Sequence, residues 1–159
     1  MKLRRRTLPE AVLAVARDER RLAWGLTDTG LALVAVPSGL YVGDALLPWT
    51  QVEKAAWKPD VLTLTEVADV EGTGRVRAFT LVQDDRLAEI IRLQVTSSVA
   101  WSDRRVLAPS GAVRLVGRRV PGEDLLVWQV VWEPGVDRFD PALQSQVEQH
   151  LLALRRTIG

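Results

Sequence analysis

The chain has 159 residues, of which 47% are hydrophobic, 21 are basic and 20 are acidic, so its formal net charge is +1. This length suits one compact domain, or one domain with a docked extension, and the composition argues against disorder. A near-neutral charge excludes a general attraction to nucleic acid or to an anionic surface, so such binding would need a local basic patch. Cysteine is absent, which excludes disulfides, thiolate metal ligands and a cysteine nucleophile.

The first residues have the order of a secretion signal, because a basic start precedes the apolar stretch 11–16. Pro9 and Glu10 interrupt that order, and the apolar stretch is shorter than a signal needs. No stretch of the sequence approaches the length of a membrane span. We therefore expect a cytoplasmic protein.

Clusters of Gly, Asp, Ser and Pro divide the first half of the chain into seven short apolar runs. The runs lie at 11–17, 22–27, 31–36, 41–49, 50–57, 61–67 and 75–82. Because each is bounded by residues that tight turns require, the pattern predicts seven strands in an antiparallel meander. Pro48 cannot donate to a strand ladder, so it predicts an edge or a kink, and the register is expected to shift near Lys54.

Residues 83–98 predict an amphipathic helix after the last of these strands. Its apolar stripe is Leu87, Ile90, Ile91 and Val95. Asp84 or Asp85 is the predicted N-cap, where a carboxylate also favours the positive end of the helix dipole.

Seven antiparallel strands followed by one amphipathic helix resemble the pleckstrin-homology-like superfold in its bacterial PH and GRAM-type versions. The matching positions are Thr27, Leu31, Pro48, Trp49, Val61 and Leu64. The resemblance implies that residues 8–98 form a PH-like β-barrel closed by the helix, with Trp49 packed against the sheet. It also implies a scaffold that presents an edge strand or a groove to another protein. The arrangement further resembles that of small actinobacterial proteins.

Residues 99–159 predict a β-rich extension and a C-terminal helix, which makes the whole chain α+β. Strands are expected at 98–108, 112–120 and 125–132, with Pro121 and Gly122 in a type II turn. Asp140 and Pro141 predict the start of the final helix. The apolar stripe of this helix is Leu143, Val147, Leu151, Leu154 and Ile158. We expect the extension to dock on the first domain, because so short a segment could not cover its own apolar strand.

Residue patterns of catalysis and of metal binding are missing from the sequence. His150 is the single histidine and lies one step off the apolar stripe of the last helix, so a catalytic triad would depend on it alone. The glycines at 71–75 are not followed by a helix, which favours a hairpin turn over a phosphate cradle. No catalytic residue, cofactor or metal ligand is predicted, and we do not expect an enzyme.

Arginine doublets are the recurrent polar feature of the chain. Arg17, Arg20 and Arg21, in the predicted first hairpin loop, are the candidate anion-binding residues, although Asp18 and Glu19 would oppose an anion there. Arginines elsewhere are expected to be solvated or paired with acids.

Trp128 and Trp132 lie four apart on one predicted strand and therefore share a face. Their neighbours are valine and leucine rather than basic residues, which favours core packing over a stacking platform, so no specific nucleic-acid partner is predicted.

Two functions of different class follow from the sequence. The first is a non-catalytic binding or assembly module whose partner is another protein. The alternative is an anionic lipid or phosphate surface binder, with peripheral membrane contact, that uses Arg4, Arg5, Arg6 and the first hairpin loop. Salt distinguishes the two hypotheses, because only the second type of binding should weaken steeply as ionic strength rises.

Overall fold

The computed structural model describes residues 8–16, 18–67 and 74–158. The chain is α+β, with a curled seven-stranded antiparallel sheet, a three-stranded antiparallel sheet and a C-terminal helix. It divides into two compact units, of which the first contains the described residues up to 67 and those at 74–96, and the second begins at residue 97.

The first unit contains seven strands between two helices. The elements are α1 (Glu10–Leu13), β1 (Ala23–Thr27), β2 (Ala32–Val36), β3 (Gly39–Val42), β4 (Ala45–Pro48), a 3-10 turn (Trp49–Gln51), β5 (Val52–Lys58), β6 (Val61–Glu66), β7 (Val76–Asp85) and α2 (Leu87–Ser98). The strand order is β4-β3-β2-β1-β7-β6-β5. Two meanders, β1 to β4 and β5 to β7, are therefore joined by the antiparallel pairing of β1 with β7.

The predicted strand at 11–17 is wrong, because this segment contains helix α1. Pro9 immediately before a run that contains three alanines favours a helical turn. Val12 and Val15 are buried against Trp24 and Val34, so α1 covers one face of β1 and β2. The other face of these strands belongs to the main core, and this is why every residue of β2 is buried.

The predicted strand at 41–49 is two strands, β3 and β4, joined by a turn at Gly43 and Asp44. Gly43 has φ +58, a conformation that glycine adopts without the steric cost of a side chain. Gly39 begins β3 opposite Pro48, and a Cβ atom at Gly39 would overlap the Leu47 carbonyl oxygen. The sheet has seven strands, as predicted, because the run at 41–49 supplies two strands and the run at 11–17 supplies none.

Pro48 ends β4, which lies at one edge of the sheet, so the predicted edge is confirmed. The register shift near Lys54 is also confirmed, since the pairing of β5 with β6 is irregular between Val52 and Lys54. Trp49 is buried as predicted, with 2% of its surface exposed, but it lies in a 3-10 turn rather than in the predicted strand 41–49.

The predicted N-cap at Asp84 or Asp85 is wrong, because both residues belong to β7 and pair with Gly25 and Trp24 of β1. Arg86, with φ +55, makes the sharp transition from strand to helix. The predicted apolar stripe of α2 is confirmed. Its members Leu87, Ile91 and Val95 are buried in the main core, and Ile90 packs against that core.

The second unit contains β8 (Val99–Val106), β9 (Ala112–Arg119), β10 (Leu126–Trp132) and α3 (Pro141–Ile158), in the strand order β10-β9-β8. A core cluster joins the apolar stripe of α3 to side chains of this sheet. Asp140 caps α3 as predicted, because its Oδ1 accepts a hydrogen bond from the Ala142 N–H at 2.9 Å. Across the described ranges, no helix is both long enough and apolar enough to span a membrane.

Candidate binding cleft

The predicted anion site lies in the connection between α1 and β1, not in a hairpin loop, because the first run is helical. Arg21 donates hydrogen bonds to the Leu13 carbonyl oxygen at 3.2 Å and to the Val15 carbonyl oxygen at 3.0 Å. These hydrogen bonds stabilise the end of α1 and the residues that follow it. Arg20 is exposed to solvent, whereas Arg17 lies outside the described residues.

A carboxylate also stands in this connection. Glu19 accepts a hydrogen bond from the Ser38 hydroxyl at 2.6 Å, which holds its negative charge beside the turn between β2 and β3. Arg4, Arg5 and Arg6, which complete the alternative anionic-surface hypothesis, lie outside the described residues.

The single histidine, His150, is partly exposed on α3 in the second unit. Asp84 and Asp85 are in the β1–β7 ladder of the first unit. Within the described part of the chain, no three His, Asp or Glu side chains cluster closely enough to hold a metal ion. The predicted glycine turn at 71–75 falls mainly outside the described residues.

Trp128 and Trp132 pack against the core cluster of the second unit, as the core prediction requires. The Trp128 ring lies across Gly117 of β9, so close that a Cβ atom there would come within 3.1 Å of the indole. On the opposite face of this sheet, Arg118 is buried and donates to Gln129 and Ser98, both at 2.8 Å. These hydrogen bonds join β9 and β10 to Ser98, all within the second unit.

A cleft of about 510 Å³ lies in the first unit beside the edge strand β5. Its lining residues are Trp57, Asp84, Arg86, Ala88, Glu89 and Arg92. Trp57 projects from β5, whereas Ala88, Glu89 and Arg92 belong to the first two turns of α2. The cleft is therefore bounded by β5 on one side and by α2 on the other.

The two apolar side chains of the cleft are fixed by the main core. Trp57 and Ala88 are partly buried and pack against the cluster that contains Leu62, Leu87 and Ile91. Trp57 also pairs across the sheet with Leu62. One side of the indole is thus held by the core while the rest stays accessible from the cleft.

The charges of the cleft come from one ion pair and two further side chains. Arg86 and Glu89 form two hydrogen bonds, at 3.0 Å and 2.9 Å. The hydrogen bond from Arg86 holds the pKa of the Glu89 carboxyl below its usual value, and the positive charge of Arg86 acts in the same direction. Arg92 and Asp84 are exposed and, among the described residues, form no ion pair.

A second cleft, of about 460 Å³, lies in the second unit between two loops and the start of α3. Pro109, Gly111, Pro134 and Gly135 supply much of its wall. Its carboxylates are Asp137 and Asp140, and each accepts a hydrogen bond from a backbone N–H two residues further along the chain. These side chains stabilise the loop and the helix start, so this cleft offers little chemistry of its own.

Sequence reasoning did not find the β5–α2 cleft. The sequence predicted that Trp57 lies on a strand and Leu87 on a helix. It did not predict that this strand and this helix lie side by side, because that depends on the order of the strands, in which β5 is the last. One signal was present in the sequence. Lys54 lies on the predicted strand 50–57 and Lys58 follows it directly, and lysine is a residue that edge strands commonly carry.

Comparison with protein-family models, with curated proteins and with solved structures finds no match to this chain. The resemblance of residues 8–98 to PH-like domains stays a prediction.

Proposed function

We propose that the first unit is a non-catalytic PH-like binding module, and that it takes an extended segment of another protein into the β5–α2 cleft. The observation that carries this proposal is the position of the cleft, which opens beside an edge strand. A segment lying in it can pair with the backbone of β5 and place its side chains against Trp57 and α2. This mode of recognition combines main-chain hydrogen bonds with side-chain pockets.

The length and the position of β5 support strand addition. β5 has seven residues and, within the described part of the chain, pairs only with β6. The opposite edge of the sheet, β4, has four residues and ends at Pro48, which has no N–H to donate. β5 is therefore the better template for an added strand.

The charges around β5 favour a partner that carries acidic side chains. Lys54 and Lys58 are exposed on β5, and the cleft adds Arg92 and Asp84, neither of which forms an ion pair among the described residues. These three cations outnumber the one carboxylate. Two copies of β5 would bring these lysines together, and like charges directly opposite destabilise a strand pair. A segment with Asp or Glu beside its apolar residues would instead be attracted.

The order of the elements and the burial of Trp49 support the PH-like assignment. Seven antiparallel strands precede an amphipathic helix whose stripe enters the main core, in the order that the resemblance requires. Trp49 is buried in that core.

A peptide that is selected from a random display library on the immobilised protein should protect the amides of β5 from hydrogen exchange. Strand addition gives the outward N–H groups of residues 52–58 new acceptors, so their exchange should slow when the peptide is in excess.

Arg92→Ala should weaken binding of an acidic peptide by about threefold to tenfold, the range for loss of one charged contact of about 1 kcal/mol.

Arg156→Ala is the matched control, because this arginine is exposed on α3 in the second unit and should leave peptide affinity unchanged. Peptide binding should persist when salt is raised, because most of it comes from backbone pairing and the Trp57 contact. Protection confined to residues outside β5 and α2 would refute the cleft as the binding site. Salt-sensitive co-sedimentation with phosphatidylserine vesicles would instead support the anionic-surface alternative.

A further inference from the structure

We propose that the second unit pairs with a second copy of this chain through the outer edge of β10, so that two three-stranded sheets become one six-stranded sheet. Within the described residues, β10 pairs only with β9. Its sequence and the flanking Leu125 form eight consecutive residues with no charge, no proline and no glycine. Strands of this composition at an open edge are templates for pairing with another chain.

The other strand edges among the described residues carry features that oppose pairing with a second copy of the same strand. β4 is short and ends at Pro48, and two copies of β5 would bring the exposed Lys54 and Lys58 together. β8 has a register shift near its start and three consecutive charged residues at 103–105. By contrast, β10 forms seven consecutive pairs with β9 without any shift, so its outer edge stays straight.

The sequence of β10 is compatible with antiparallel pairing to itself. If Gln129 lies opposite Gln129 of the second copy, then Val127 lies opposite Val131, and Leu126 lies opposite Trp132. Aromatic, aliphatic and β-branched residues are favourable cross-strand partners, and no like charges meet between residues 125 and 132. Every residue of β10 except Gln129 keeps part of its surface exposed, so apolar surface remains to be covered.

The pairing of β10 with itself would stop at a dimer. Each copy uses the same strand, so the interface has two-fold symmetry and leaves no free β10 edge. Pairing of β10 with β8 of another copy would be open-ended, but the charges at 103–105 and the register shift of β8 oppose it. Charges at the ends of β10 limit the register as well, because Asp124 precedes the apolar segment and Glu133 follows it.

Sedimentation equilibrium of the full chain over a wide concentration range tests this inference. We expect a monomer–dimer equilibrium, and Val131→Lys should raise its dissociation constant by about tenfold or more, since two added charges would face the apolar strand of the partner. Raising the salt concentration should not weaken the wild-type dimer, because the segments in contact carry no charge.

Val106→Lys is the matched control, because Val106 is an exposed valine of the edge strand β8, and this change should leave the equilibrium unaltered. Hydrogen exchange gives a second measurement that does not depend on a variant, since the amides of β10 should exchange more slowly at high protein concentration and those of β8 should not. A monomer throughout, or oligomers that keep growing with concentration, would overturn the inference.

Discussion

Trp49→Ala is expected to lower the free energy of unfolding by about 3 to 5 kcal/mol, the usual cost of emptying an aromatic site in a core. The indole of Trp49 is 2% exposed and packs in the main core with residues from both meanders of the sheet. Its Nε1 also donates a hydrogen bond to the Val36 carbonyl oxygen at 2.9 Å. The measurement is denaturant unfolding monitored by circular dichroism.

Two variants separate the contributions of Trp49. Trp49→Phe keeps an aromatic ring but leaves the buried Val36 carbonyl without this donor, which should cost about 1 to 3 kcal/mol. Trp101→Ala removes a tryptophan that is 41% exposed, so it should cost clearly less than Trp49→Ala. If the two alanine variants were equally stable, the position of Trp49 between the two meanders would be wrong.

The Pro48-Trp49 step forms the connection between β4 and β5. Pro48 ends β4 and has φ −60, and Trp49 begins the 3-10 turn that leads to β5. β4 and β5 lie at opposite ends of the strand order, so the turn must leave one edge and reach the other. The buried indole fixes this crossing by packing into the core and bonding to β2.

Turn residues and the alternation of apolar with polar residues were sufficient to predict most strands. Leu62 and Leu64 alternate with threonines along β6, and both leucines are fully buried, so a period of two identified the core face. Asp140 with Pro141 marked the start of α3 because a cap and the first helical residue act locally. Features whose cause lies within a few residues were therefore predictable.

The errors have non-local causes. The segment 11–17, with three alanines, fits a strand or a helix by composition, and in the structure its helix α1 packs on β1 and β2. Aspartate is a common helix cap, but Asp84 and Asp85 pair with β1, so β7 continues through both residues. The β5–α2 cleft depends on the order of strands across the whole sheet, which no short pattern in the sequence specifies.

Leu154→Asp is expected to destabilise the second unit by about 3 to 5 kcal/mol, because a carboxylate would be buried without a partner. Leu154 is 6% exposed and lies in the cluster that joins α3 to the three-stranded sheet. The cluster contains Leu107, Val113, Leu115, Leu143 and Val147, whose side chains offer no hydrogen bond to a carboxylate. Hydrogen exchange of the β9 amides measures the effect within this unit, since their protection requires the sheet to stay covered.

The same helix provides the control. Leu152 lies two residues earlier and is 51% exposed, so Leu152→Asp changes the charge and the helix propensity equally but buries nothing. It should alter stability by no more than about 0.5 kcal/mol, as is usual for surface substitutions. Equal loss of β9 protection in both variants would indicate that the charge acts on α3 itself. A loss confined to Leu154→Asp would instead show that the apolar stripe of α3, which includes Leu143 and Val147, stabilises the three-stranded sheet. The proposed dimer depends on that sheet, because β10 is its outer strand.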